Sequence, residues 1–333
     1  MPPLDALLPR FGLAPGRRLP GHAPQGSPER CLDRRVVADA EGRLWLLERL
    51  HPAQTPRREA LGRLLCALRQ ADGEAAAVVP AYQPVDSGGF VLDCGDAPGS
   101  AHGDASDGFW QLSPFVPGAP LPRPGYLRRE DLGRALARVL LAVQRAAARL
   151  PDAVALPEPP EPNLPAYGER LFAALDRNRP DAAARLADYR QALRGLPEAL
   201  DAFAPALAHG DLHPLNVIWG EDGGPAVRAL IDWEFAGARP GPYDAANCLG
   251  CAGFEHPSGL AGGFALGFAD GLREGGMQPG ALAALGLLVP ASRLGWLAEW
   301  LRRADEEMLA MELDYIDILL AERHRLARLW SGG

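Results

Sequence analysis

The chain has 333 residues, enough for two domains and a sizeable core, and its apolar fraction of 47% is ordinary for a globular protein. Its net charge of −8 argues against a general nucleic-acid binder, which would carry a basic surface. That charge fits a plain solvated surface better than it specifies a cationic substrate.

From the N-terminus, "RCLDRRVVADAEGRLWLLERL" (30–50) reads as two extended runs around a turn at Ala40-Glu41-Gly42, an antiparallel hairpin. Thr55 and Pro56 then offer a helix start, and Ala60, Leu61, Leu64, Leu65 and Leu68 recur at helical spacing up to Asp72-Gly73. "AAAVVPAY" (75–82) and "GFVLDC" (89–94) are expected as strands, and "FWQLSPFVPGAPL" (109–121) as a strand abandoned at Pro117-Gly118. Beyond that point the pattern turns helical. A clear apolar stripe runs over 131–150, and a proline-rich extended segment over 151–165. Helices follow at 166–178, 181–200, 259–273, 281–307 (bent or broken at Pro290) and 314–330.

The expected plan is therefore α+β, with a small sheet-rich N-terminal unit of residues 1–116 and a larger helical unit of residues 117–333. A crevice between two such units is a natural ligand site. The five cysteines are odd in number and scattered, unlike a disulfide framework, and no N-terminal signal pattern is read, so a reducing cytoplasm is expected. The apolar run at 281–291 is too short to span a bilayer and holds a proline, so no membrane segment is expected.

Chemistry concentrates in "HGDLHPLNVIWGEDGGPAVRALIDWE" (209–234). Val217–Trp219 and Val227–Ile231 read as the two arms of a hairpin around "GEDGG". The start of one arm of an antiparallel hairpin lies beside the end of the other, so Asn216 and Asp232 are expected to converge. An amide oxygen and a carboxylate suit hard Mg²⁺. Asp211, five positions before Asn216, is placed to face the same space without binding the metal. Phosphoryl transfer from a nucleotide needs that division of labour: oxygen ligands for the metal, and a separate carboxylate for the attacking hydroxyl.

These residues carry a resemblance. His209-x-Asp211, Asn216 after four intervening residues, and Ile231-Asp232-Trp233-Glu234 are similar to the catalytic and metal motifs of the aminoglycoside phosphotransferase/choline kinase-like family; "PGPYDAANCLG" (240–250), with Asp244 opening a helix, resembles the segment that follows them there. The resemblance implies a protein-kinase-like fold and transfer of a γ-phosphoryl from ATP or GTP to a hydroxyl of a small molecule. It implies Asp211 as catalytic base, Asn216 and Asp232 as Mg²⁺ ligands, and His209 as a brace of the loop. Neither nucleic acid nor membrane is implied as a partner. A hydrolase metal site on His209, Asp211 and His213 is the competing reading, and it leaves Asn216 without a role.

The N-terminal part departs from the pattern. A kinase-like fold usually pairs a strand Lys with a helix Glu. All 34 basic residues here are Arg, and Glu48 falls near the place of the Lys. Glu59 matches the helix acid. Either Arg49 supplies the nucleotide contact and pairs with Glu59, or Glu48 marks a rewired or catalytically impaired nucleotide site. Glu48 and Arg49 point to opposite faces of their strand, so only one serves. The segment 19–30, with Gly21 and Gly26, lies where a phosphate-covering turn would be. No "GK[ST]" exists, which excludes a P-loop NTPase. Cys248-x-x-Cys251 reads as core, and Trp296 and Trp300, one helical turn apart, as packing that lines the substrate side.

Overall fold

The structure is a computed structural model that describes residues 4–19, 31–71, 73–95, 108–161 and 163–333. The expected phosphate-covering segment, apart from Leu19, lies outside the described residues. The chain divides into two compact units. The first comprises Met1–Gly118, Arg149–Pro157 and Arg228–Glu234; the second comprises Ala119–Ala148, Glu158–Val227 and Phe235–Gly333.

The first unit opens with a short helix α1 (Leu4–Leu7) and holds a sheet of strands β1 (Arg17–Arg18), β2 (Cys31–Ala38), β3 (Leu44–Leu50), β4 (Leu92–Asp93) and β5 (Phe109–Pro114), in the order β1-β2-β3-β5-β4, with every pairing antiparallel. The β2–β3 hairpin turns where expected because the buried carboxylate of Asp39 accepts the N–H groups of Glu41 at 3.0 Å and Arg43 at 2.9 Å, while Gly42 takes a φ of 79°. Strand alternation sorts the two faces. Val37, Trp45, Leu47, Trp110 and Leu112 pack with Leu4, Leu7, Leu8 and Phe11 in one apolar cluster. The alternate residues Arg34, Glu48 and Gln111 form one cross-strand row on the other face.

Helix α2 (Thr55–Gln70) buries Leu61, Leu64, Leu65 and Leu68, as its spacing predicts. Two expectations fail nearby. Residues 75–82 begin as a helix, α3 (Glu74–Val78), because a run of Ala favours helix and its end at Val79-Pro80 leaves no length for a strand. In 89–94 only Leu92–Asp93 joins the sheet: the N–H groups of Phe90 and Val91 donate instead to Oε1 of Glu59, at 2.9 and 2.7 Å.

The second unit is mainly helical: α4 (Glu130–Ala147), α5 (Leu164–Asn178), α6 (Pro180–Arg185), α7 (Ala187–Ala192), α8 (Leu196–Asp201), α9 (Tyr243–Glu255), α10 (Gly263–Glu274), α11 (Pro279–Arg303) and α12 (Glu306–Ser331). The single helix expected over 181–200 is divided into α6, α7 and α8, with Pro197 starting the last piece. Strands β6 (Pro205–Ala208) and β9 (Gly237–Pro240), unforeseen in the sequence, pair antiparallel. The arms β7 (Val217–Trp219) and β8 (Val227–Leu230) flank a turn closed by the Gly220 N–H on Ala226 O at 2.8 Å, and most of β8 folds with the first unit.

Helix α11 runs through Pro290 unbroken, so of the bend or break expected there the break does not occur. Its packing against α9 and α12 offsets the lost backbone bond, which costs about 3 kcal/mol in an isolated helix. The helix is long and apolar enough to cross a membrane, yet much of it, Arg293 included, is buried among its neighbours. Helix α12 starts eight residues before the expected 314, because the Asp305 side chain caps it by accepting the Met308 N–H at 3.1 Å.

Candidate active site

In the second unit the loop that carries Asp211 leaves β6 at Ala208. Gly210 has a φ of 85°, and a Cβ there would lie 2.2 Å from the Phe235 carbonyl oxygen, so only glycine fits. The loop is gripped by the first turns of α9. The buried Asp244 carboxylate accepts the N–H of His209 at 2.6 Å and of Gly210 at 2.9 Å, and Asn247 Nδ2 donates to Leu212 O at 3.2 Å. The His209 ring is buried, with Nδ1 facing the Asp211 N–H at 3.4 Å.

Asp211 and Asn216 come together as their spacing predicts. Asn216 Nδ2 donates to Asp211 O at 2.9 Å and to Oδ2 at 3.0 Å. Both partners are acceptors, so the amide nitrogen must face Asp211 and Oδ1 must face away. Burial pushes the Asp211 carboxyl up, but His213, His209 and the Asn216 amide together outweigh it and hold the group below its ordinary value. Asp211 is therefore an ionised acceptor at neutral pH.

Asp244 shifts the opposite way. Complete burial outweighs its two backbone donors and Arg239, and pushes the carboxyl up to about 6. Between the ordinary carboxylate value and about 6 the folded chain holds a proton that the unfolded chain has lost, so this group contributes stability that declines as pH rises through 6. In denaturant titrations, the stability of the wild type relative to Asp244→Asn, which cannot titrate, is expected to increase from pH 7 to pH 5. A difference independent of pH would contradict this.

In the first unit, Asp232 follows β8 with a φ of 62°, in the left-handed region that few residues other than glycine, asparagine and aspartate adopt. Arg34 Nη2 lies 3.9 Å from its Oδ1. Arg34 Nε also donates to Glu48 Oε1 at 2.7 Å, and the other Glu48 oxygen lies 3.8 Å from Arg58 Nη1. Arg58, buried on α2, is 3.8 Å from the Glu234 carboxylate and donates to Tyr82 Oη at 3.0 Å.

The strand–helix ion pair is thus present with its signs exchanged: the strand gives the acid and the helix the cation. The expected Arg49–Glu59 pair does not form. Arg49 lies on the Trp45–Leu47 face of β3, away from Glu48, and Glu59 is committed to the backbone of Phe90 and Val91 and to Arg63. Sequence reasoning missed Arg34 and Arg58. The visible signal was the reversal of charge, Glu48 then Arg58 where Lys then Glu was sought.

A cavity of about 230 Å³ in the second unit is lined by Tyr126, His213, Pro214, Phe254, Trp296 and Trp300 among others. The two indoles stack with centroids 5.5 Å apart. Cys251 borders the cavity, but burial pushes its thiol up to about 12, and no disulfide forms among the five cysteines. Among the described residues, no three His, Cys, Asp or Glu side chains group to hold a metal, which leaves the hydrolase reading without a ligand set.

A small antiparallel-sheet unit and a larger, mainly helical unit define a protein-kinase-like fold. Solved structures share it: amicoumacin kinase hAmiN in complex with AMP-PNP, Ca²⁺ and Ami (17% identity, 94% of this chain and 91% of that one, TM-score 0.64) and the GDP complex of wild-type aminoglycoside 2'-phosphotransferase-IIIa (17%, 96% and 97%, 0.60). A choline/ethanolamine kinase family protein from Mesorhizobium loti is also similar (15% identity, 96% of this chain and 93% of that one, TM-score 0.58). No curated protein matches the chain. The match to APH, the phosphotransferase enzyme family, covers residues 33–282, and the chain belongs to that family.

Proposed function

We propose that the protein is a small-molecule kinase that moves the γ-phosphoryl group of ATP or GTP to a hydroxyl of a small acceptor. Asp211 orients that hydroxyl and receives its proton; Asn216 and Asp232 hold Mg²⁺. The observation that carries this reading is the lock between Asp211 and Asn216, which fixes the carboxylate and turns the amide oxygen outward. That oxygen and the Asp232 carboxylate are hard donors, the set Mg²⁺ prefers. When bound, Mg²⁺ neutralises charge on the transferring phosphoryl group. A carboxylate held below its ordinary value is a weak base, so Asp211 works mainly by orientation and takes the proton late, as a loose transition state permits.

The cavity beside His213 and Pro214 supports an acceptor of modest size with ring or apolar surface, bound against Trp296 and Trp300. The relatives named above carry different acceptors in their names, and the choice among alcohols rests on this helical unit.

Thermal denaturation tests the reading. Mg-ATP or Mg-GTP should raise the melting temperature, because a ligand at 100 times its Kd adds about 2.7 kcal/mol. A panel of amino alcohols, sugars and aminoglycosides then identifies the acceptor. No shift with either nucleotide would contradict the proposal. Asp232→Ala is expected to weaken Mg-nucleotide binding by about 100-fold, since loss of a metal's outer-sphere partner alone costs roughly 10- to 100-fold. Unchanged calorimetric affinity would remove Asp232 from the metal site.

A further inference from the structure

His213 lies between Asp211 and Asn216 in the chain and is given no step in the reading above. It stands at the head of the short turn Pro214–Asn216, where its Nδ1 accepts the Leu215 N–H at 3.3 Å. The other edge of the ring faces the base: Nε2 lies 3.5 Å from Asp211 Oδ2. The ring also lines the cavity walled by Trp296 and Trp300, and its side chain is 14% exposed. One imidazole therefore meets the turn that carries Asn216, the carboxylate and the acceptor cavity.

The contact with Leu215 settles which nitrogen bears the proton. A backbone N–H can only donate, so Nδ1 must be bare. In a neutral ring the hydrogen then sits on Nε2, the atom turned toward Asp211. Nε2–H and Asn216 Nδ2, the latter at 3.0 Å, are both directed at Oδ2. Among the described residues no donor reaches Oδ1, so that oxygen is the one left for an incoming hydroxyl. Hydrogen bonds to a catalytic carboxylate often tighten only in the complex with substrate, and 3.5 Å leaves room for this.

We propose that His213 is the positioning residue of the base: it holds the Asp211 carboxylate through Oδ2 and so presents Oδ1 to the acceptor hydroxyl. This rests on the kinase reading above and adds to it a residue for which the resemblance implies no role. The competing role is local, a ring that only caps the turn, which an asparagine would fill as well.

Two substitutions separate these roles. Asparagine reproduces the Nδ1 position and can still accept the Leu215 N–H, but it is too short to donate to Asp211; glutamine reaches the Nε2 position with an N–H and gives up the cap. In the full chain, kcat for ADP formation from Mg-ATP is measured across the panel of amino alcohols, sugars and aminoglycosides, beside calorimetric Mg-ATP affinity. His213→Asn is expected to lower kcat by about 10- to 100-fold with Mg-ATP affinity within about threefold, while His213→Gln stays within about fivefold of the wild type in both. A glutamine variant no faster than the asparagine variant overturns the proposal and leaves the kinase reading standing. Ring ¹⁵N and ¹H spectra, with His213 assigned by the signals lost in His213→Asn, give an arm that needs no acceptor. They should show the proton on Nε2, in a downfield resonance that moves upfield in Asp211→Asn. A proton on Nδ1, or a resonance indifferent to Asp211→Asn, overturns the proposal as well. Failure of the wild type to bind any nucleotide is a separate result and defeats the kinase reading itself.

Discussion

Asp211→Asn is expected to lower kcat by about 100- to 10,000-fold while changing Mg-nucleotide affinity by less than about threefold. The two effects separate because of where the side chain sits. Asn216 Nδ2 bonds both the carbonyl and the carboxylate of Asp211, and an asparagine can keep a side-chain oxygen toward that donor, so the loop keeps its form. What disappears is the negative charge that His213, His209 and the amide stabilise, and with it the acceptor for the hydroxyl proton. ADP formation with the acceptor found by the panel, set beside nucleotide affinity, makes the measurement. An equal loss of binding and turnover would instead make Asp211 part of the nucleotide or metal site.

The largest stability effect is expected from Glu312→Ala, about 3–5 kcal/mol in urea denaturation. Glu312 on α12 is completely buried and receives Arg293 Nε at 2.7 Å and Nη2 at 2.6 Å, with Trp300 Nε1 on the second oxygen at 3.2 Å. Removing the acid strands a guanidinium that is itself buried on α11. The rings of Phe254, Tyr315 and Trp296 lie within 6 Å of its carbon, at 4.6, 5.3 and 5.7 Å, and cannot replace a carboxylate. Arg293→Met with Glu312→Leu removes both charges and should lose far less, because the desolvation cost goes with them. A double variant as unstable as the single one would show that the pair's value lies in packing. The pair also joins α11 to α12 behind the Trp296–Trp300 stack, so Glu312→Ala should disturb the cavity those indoles line.

What the sequence revealed follows from how local each signal was. The hairpin of β2 and β3, the leucine face of α2 and the spacing of Asp211 and Asn216 are set by neighbours a few residues away, and all are found where expected. The stretch 75–82 was ambiguous on its own terms, since a short Ala and Val run suits a helix turn as well as a strand. The loss of strand at Phe90 and Val91 was invisible, because it depends on Glu59, about thirty residues earlier, taking their N–H groups. At Pro290 a bend or a break was expected and the helix is not broken, because the packing of α11 against α9 and α12 is not a local signal.

The nucleotide side was legible only in part. Arg34, Glu48 and Arg58 meet through strand register and helix rotation, neither of which a search for one lysine addresses. Asp244 was noticed as the start of a helix, but its grip on the His209 and Gly210 amides required the loop's path.

The most direct measurement is a structure of the chain with Mg²⁺ and a non-hydrolysable ATP analogue. Mg²⁺ is predicted at about 2.0–2.1 Å from Asn216 Oδ1 and from a carboxylate oxygen of Asp232, with Asp211 outside its coordination shell. Metal held by other residues, or by Asp211 itself, would contradict the account.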